Sequence, residues 1–151
     1  MADFTVEALS GRQVPTQAHR PAALTTPLGA DKLLLSSFTV NEELSSPFLI
    51  QVECLSTEEN VDFKDAIGKD CEVRLTTVGK KTRYFCGILA EAGWSGEREG
   101  FYAYSLVLRP KLWLLTHMQD CRIFQNLTVV EILEQVLHDA GVDMKSMLTE
   151  S

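Results

Sequence analysis

A two-residue repeat of apolar side chains, returning in segment after segment between turn-forming residues, constrains this chain more than any other feature. Phe48, Ile50, Val52 and Cys54 alternate with Leu49, Gln51, Glu53 and Leu55, and that period places each set on one face of a strand. Pro47 stands at the start of the run, where its missing N–H costs least. Cys71, Val73, Leu75 and Thr77 face one way while Glu72, Arg74 and Thr76 face the other, the pattern of a half-buried antiparallel strand. Val78-Gly79-Lys80-Lys81 supplies a turn, and residues 82–94 are long enough to return as the hairpin partner. Another turn is expected at residues 96–100. Residues 101–109 follow as a strand with Tyr102, Tyr104, Leu106 and Leu108 in one register. Upstream, the leucines at 33–35 lie in a strand expected over residues 32–40 and imply cover on both faces.

The period changes after Pro110, which ends the last of these strands. Residues 111–117 predict a short helical or irregular link, with Trp113 among leucines as a core plug, and residues 120–125 predict a final short strand. Val129, Ile132, Leu133, Val136, Leu137 and Ala140 then recur at helical spacing over 129–140. Thr128 and Glu131 fit a capping box, Leu127 and Ile132 a hydrophobic staple, and Gly141 a left-handed C-terminal position. The stripe predicts a helix docked on the sheet, worth on the order of 10 kcal/mol gross before entropy is subtracted. Val136→Asp is then expected to be strongly destabilising, through an unpaired charge on the core face. A single helical turn is expected over 62–67, ended by Gly68.

The fold class expected is therefore mainly β (α+β): an antiparallel, barrel-like sheet with one docked C-terminal helix. Residues 1–21, with Gly11, Pro15 and Pro21 and no periodicity, are expected to form an irregular N-terminal arm. Residues 22–141 form the barrel unit, and 142–151 the truncated start of a next subdomain or a tail.

Fourteen Lys and Arg against 21 Asp and Glu give a net charge of -7, which repels a phosphate backbone and argues against nucleic acid as a partner. Apolar runs such as 33–35 and 112–115 fall far short of the ~20 residues of a membrane span. Asp3 and Glu7 stand where a signal peptide carries positive charge. Cys54, Cys71, Cys86 and Cys121 form no C-x-x-C pair, and three of them lie on the apolar phase of strands, as reduced core thiols.

Catalytic patterns fail one by one. Gly93-Trp94-Ser95-Gly96 lacks the glycine a nucleophile elbow needs at 97, which is Glu. Gly68-Lys69 is followed by Asp70, not by the Ser or Thr of a phosphate loop. His19, His117 and His138 are isolated, with no metal-ligand spacing. Asp62/Asp65 and Glu42/Glu43 are carboxylate pairs in charged turns, with no apolar pocket to raise a pKa. No catalytic residue, cofactor or metal is expected, and the chain reads as a non-enzyme. A small-ligand barrel lined by Tyr102, Tyr104 and Trp113 stays open as an alternative.

Six short segments, in order, resemble the N-terminal part of the VgrG family of type VI secretion spike proteins and the related hubs of contractile phage tails. They are Pro27-Leu28-Gly29-Ala30-Asp31 before Leu33-Leu34-Leu35; Glu43-Leu44-Ser45-Ser46-Pro47-Phe48; Ile67-Gly68-Lys69; Arg83-Tyr84-Phe85-Cys86-Gly87-Ile88; Leu108-Arg109-Pro110 with Trp113-Leu114-Leu115; and Asp120-Cys121-Arg122-Ile123-Phe124-Gln125-Asn126. Cys86 stands where the family commonly shows His. The resemblance implies a phage tail hub-like fold and, in the longer family protein, a homotrimeric spike base. It further implies docking on a tube of haemolysin-coregulated protein and delivery of effector proteins by contractile injection. By the same resemblance the protein assembles in the cytoplasm and is exported by the type VI system without a signal peptide. The structural motif positions implied are Pro47, Phe48, Gly68, Gly87, Pro110, Trp113, Arg122, Ile123 and Phe124. A contractile phage tail hub is the other assembly the same resemblance allows.

Overall fold

The computed structural model describes residues 15–142; the expectations for residues 1–14 and 143–151 lie outside them. Strands β1 (Ala22–Thr25), β2 (Leu34–Asn41), β3 (Leu49–Ser56), β4 (Asp70–Thr76), β5 (Thr82–Arg98) and β6 (Phe101–Arg109) form one sheet in the order β1-β4-β5-β6-β3-β2. Every neighbouring pair is antiparallel. The sheet is the curled, barrel-like one that the alternation predicts. Its inward set is buried as the period requires: Ile50, Val52 and Cys54 on β3, Cys71 and Val73 on β4, and Tyr104, Leu106 and Leu108 on β6. Leu24, Leu33, Leu35, Val61, Ala66 and Leu89 complete the same core cluster.

Curling needs devices, and β5 carries two. Its pairing with β6 slips between Leu89 and Glu91 and again between Trp94 and Gly96. Each slip sets an extra residue against the partner strand, which bends the strand and increases its twist. The first half of β5 pairs with β4 and the second half with β6, so one long strand serves two sides of the curl. The turn expected at residues 96–100 is corrected accordingly. Gly96 (φ 123°) belongs to a bulge, and the chain reverses at Glu99 and Gly100, both with positive φ.

The curl closes through a side chain. Gln17, 4% exposed, lies between the free edges of β1 and β2. Its Nε2 donates to the carbonyls of Leu24 (3.2 Å) and Leu33 (3.0 Å), while its Oε1 accepts from the N–H groups of Leu24 (3.0 Å) and Leu35 (2.8 Å). A primary amide has two donors and one two-lone-pair acceptor, so every capacity is used and four edge groups are satisfied. Arg20 adds a bond to the Leu35 carbonyl (3.2 Å). Asp31 fixes Gln17 in turn, accepting from the Thr16 hydroxyl (2.7 Å) and the Gln17 N–H (2.9 Å).

Beyond β6 the structure departs from expectation. Lys111–His117 is a 3₁₀ helix, and residues 118–128 form no strand where a short one is expected. Helix α1 (Val129–Asp139) begins with the capping box: Glu131 N–H donates to the Thr128 hydroxyl (3.3 Å) and the Glu131 carboxylate accepts from the Thr128 N–H (2.6 Å). Gly141 takes φ 69° at its end. None of the helix residues is buried. Leu133 is 47% and Val129 73% exposed, whereas Ile132, Val136 and Leu137 are half-buried. The expected docking is therefore corrected: the inner face of the sheet is already consumed by its own curled core, leaving no apolar face for a helix to cover. Val136→Asp is expected to cost less than about 1 kcal/mol in urea unfolding of this chain, not the several kcal/mol of a buried unpaired charge.

The cysteines also divide. Cys54 and Cys71 are buried, and burial pushes their thiols up to about 12 and about 11 respectively. Cys86 and Cys121 are exposed, so two of the four thiols lie in the core where three were expected.

Candidate functional site

No group of three or more His, Cys, Asp or Glu among the described residues is placed to hold a metal ion. Most of the motif residues singled out in the sequence instead gather in three structural places. The first is the seam between β1 and β2. Pro27 to Asp31 forms a loop with Gly29 at φ 114° and Asp31 at φ 57°, which aims the Asp31 carboxylate back at Thr16 and Gln17. Both hydrogen bonds hold that carboxyl below the usual range, the Thr16 hydroxyl contributing most.

The second place is a corner. Gly68, at φ 76°, donates its N–H to the Leu89 carbonyl (2.8 Å), and the Leu89 N–H donates to the Lys69 carbonyl (2.9 Å). Ile67 forms a parallel bridge to Leu89. On the other side of β5, Ile88 pairs with Arg109, and a Cβ on Gly87 would stand 2.9 Å from the Arg109 carbonyl oxygen. Three motif segments far apart in sequence, at 67–69, 86–88 and 108–110, thus meet where β5 passes from β4 to β6. Gly68 and Gly87 are both glycines here for steric reasons, one for its dihedral and one for its neighbour.

The third place is the C-terminal segment. Trp113 does not plug the core. Its ring is half-buried, with the Arg109 guanidinium 5.1 Å from the ring centre and His117 edge-on at 4.4 Å. Arg122 pairs with Asp120 (2.6 Å) and Asp139 (2.5 Å), tying the irregular stretch to the end of α1. The Arg122 side chain is held outside the core, and Ile123 beside it is 89% exposed. Phe124 is half-buried. Leu112, Leu114, Met118, Leu127, Val129 and Leu133 join Ile123, so that most of the large exposed apolar side chains among the described residues fall on this one segment. Pro47 and Phe48 lie elsewhere, after the tight β2–β3 connection in which Ser45 has φ 63° and Leu44 is fully exposed.

A family model described as phage tail baseplate hub (GPD) matches residues 41–151, a span that includes the corner and the C-terminal segment. The chain belongs to the phage tail baseplate hub family. Among curated proteins it is similar to two type VI secretion system spike proteins of Pseudomonas aeruginosa. It is 36% identical to VgrG1b over 136 residues and 37% identical to VgrG1a over 134 residues. These alignments cover 89% and 88% of this hub chain but 18% and 21% of the relatives, so the chain spans about a fifth of their length. Its fold resembles that of the E. coli c3393 protein, described as a component of the type VI secretion system with structural similarity to the T4 bacteriophage tail proteins gp27 and gp5. That match has a TM-score of 0.64 at 21% identity, covering 77% of this chain and 31% of the other.

Sequence reasoning places the corner glycines and the helix cap as structural positions but misses Gln17. Its four backbone partners lie 7 to 18 residues away, across a seam that no local pattern announces. Tyr102 and Tyr104 border an open groove that Trp113 does not join, so the three do not form the lining of one cavity.

Proposed function

We propose that this chain is a structural unit of a type VI secretion spike base and performs no catalysis. It packs against other chains through the apolar segment 112–133, docks on the tube of haemolysin-coregulated protein, and helps carry effector proteins outward. In this reading the longer protein is a homotrimer, assembled in the cytoplasm and exported by the system it belongs to. In the same reading the hub-like barrel runs to residue 141 but starts inside the arm expected to residue 21, since Gln17 closes its seam.

The observation that carries the proposal is the apolar segment itself. The sheet packs its own core without α1, yet α1 is well capped and strongly two-sided. An amphipathic helix whose apolar face the fold leaves half open belongs to a surface that another protein covers. Similarity to spike proteins of a single secretion system supports the choice of assembly. Support for the structural role comes from the relatives themselves, which are named as spike proteins.

The test is a chimera in which this chain replaces the matching segment of VgrG1b in a Pseudomonas aeruginosa strain lacking its own spike proteins. Secretion of the tube protein into the medium is expected to return. An Ile123→Asp/Leu133→Asp chimera is expected to abolish it while the same double variant of the isolated chain keeps its far-UV circular dichroism. Equal secretion from both chimeras would defeat the assembly surface, and no secretion from the parent chimera would defeat the spike assignment.

A further inference from the structure

At the far end of β5 an open groove of ≈ 540 Å³ lies between the loop at residues 59–63 and the β5–β6 hairpin. Its rim and walls are aromatic and acidic at once. Trp94 borders it with 65% of its surface exposed, and Tyr102 stands beside it. Glu59, Asp62 and Glu97 are its charged residues; no Lys, Arg or His borders it. None of these three carboxylates enters an ion pair among the described residues, although Glu58 next door is paired with Lys32.

The floor is rigid. Tyr104, buried, accepts from the Val61 N–H (3.3 Å) and donates to the loop carbonyl of Glu59 (2.5 Å), with Phe63 edge-on at 5.5 Å. These contacts fasten the loop over the end of the sheet and hold Glu59 on the groove side. The carboxylate of Glu59, followed by burial and by Glu97, holds the Tyr102 phenol above its ordinary range, which agrees with both carboxylates facing that hydroxyl.

We propose that this groove seats an arginine side chain of a partner protein, its guanidinium stacked on the Trp94 indole and paired with Glu59 and Glu97. The chemistry selects this occupant. An apolar peptide segment would desolvate unpaired carboxylates with nothing in return. An anion would be repelled by them. A cation over an exposed indole gains from the ring quadrupole, and a planar guanidinium stacks and forks to two carboxylates where a compact, strongly hydrated ammonium does neither. The assignment is independent of the spike reading, because the groove lies on the sheet and not on the C-terminal segment.

The Trp94 indole N–H signal in two-dimensional ¹⁵N NMR spectra reads this directly, once assigned with Trp94→Phe. Titrating the chain with hexa-arginine is expected to move the Trp94 signal saturably and leave Trp113 in place. Glu59→Gln/Glu97→Gln is expected to weaken binding about tenfold, while Glu42→Gln/Glu43→Gln, with the same change of charge in the β2–β3 connection, weakens it less than about twofold. Hexalysine is expected to bind several-fold more weakly than hexa-arginine. An unmoved Trp94 signal, or equal weakening by the two double variants, would overturn the site; equal affinity for hexalysine would overturn the guanidinium as its occupant.

Discussion

Gln17→Ala is expected to lower the unfolding free energy by about 3 kcal/mol, a large share of the 5 to 15 kcal/mol that holds a domain of this kind folded. The side chain contributes little apolar burial. Its effect comes from the four backbone groups that it serves at the seam, on Leu24, Leu33 and Leu35. Removing one partner from a buried hydrogen bond leaves the other at about 1 to 3 kcal/mol of desolvation cost, and water entering the seam recovers part of that for each group. Urea unfolding followed by far-UV circular dichroism checks it. The midpoint should fall with little change of slope, since the surface exposed on unfolding stays nearly the same.

Gln17→Leu, of similar size, should be no better than Ala, because the four groups need polar partners and not volume. A loss below about 0.5 kcal/mol for both variants would mean that the edges of β1 and β2 close without this amide. The seam also carries a pH dependence through Asp31. Its carboxyl is held below the ordinary value by the Thr16 hydroxyl and the Gln17 N–H, so the stabilisation is present above the unfolded-state pKa. It is lost as pH falls through the lower folded-state value.

How far such features can be read from sequence depends on the range of the interaction. The strands were legible because alternation is local: each of Ile50, Val52, Cys54, Cys71 and Val73 declares its face by its neighbours two residues away. The helix cap at Thr128 and Glu131 is equally local. By contrast, β5 hides its length, because each bulge shifts the phase of the alternation and Gly96 then imitates a turn. The helical stripe from Val129 to Ala140 is also legible, but periodicity states only that a face is apolar. It does not say what covers it, and here the sheet does not. Amphipathicity predicts docking only on the premise that every apolar stripe meets its own domain's core. In the proposed reading that premise fails, because part of the apolar surface is kept for another chain.

The corner of β5 is the place where local and long-range information meet, and Gly87→Ala tests it. A methyl group there would lie 2.9 Å from the Arg109 carbonyl oxygen and 3.2 Å from its nitrogen. Both atoms are backbone, fixed by the pairing of Arg109 with Ile88 and by Pro110 after it, so no side-chain rotation relieves the contact. The strands must part at the point where Gly68 and Lys69 also hold Leu89. The expected loss is about 2 to 4 kcal/mol in urea unfolding, at the upper end of overpacking costs because backbone meets the new atom. Gly93→Ala on the same strand is the control. Nothing lies within 4 Å of its added Cβ, and alanine restricts the unfolded chain more than glycine does, so its change should stay within about 1 kcal/mol and favour the folded state. Equal losses at both positions would trace the cost to strand flexibility in general and remove the special role of Gly87. A loss confined to Gly87 would give that motif glycine a steric reason, with no chemistry required of the position.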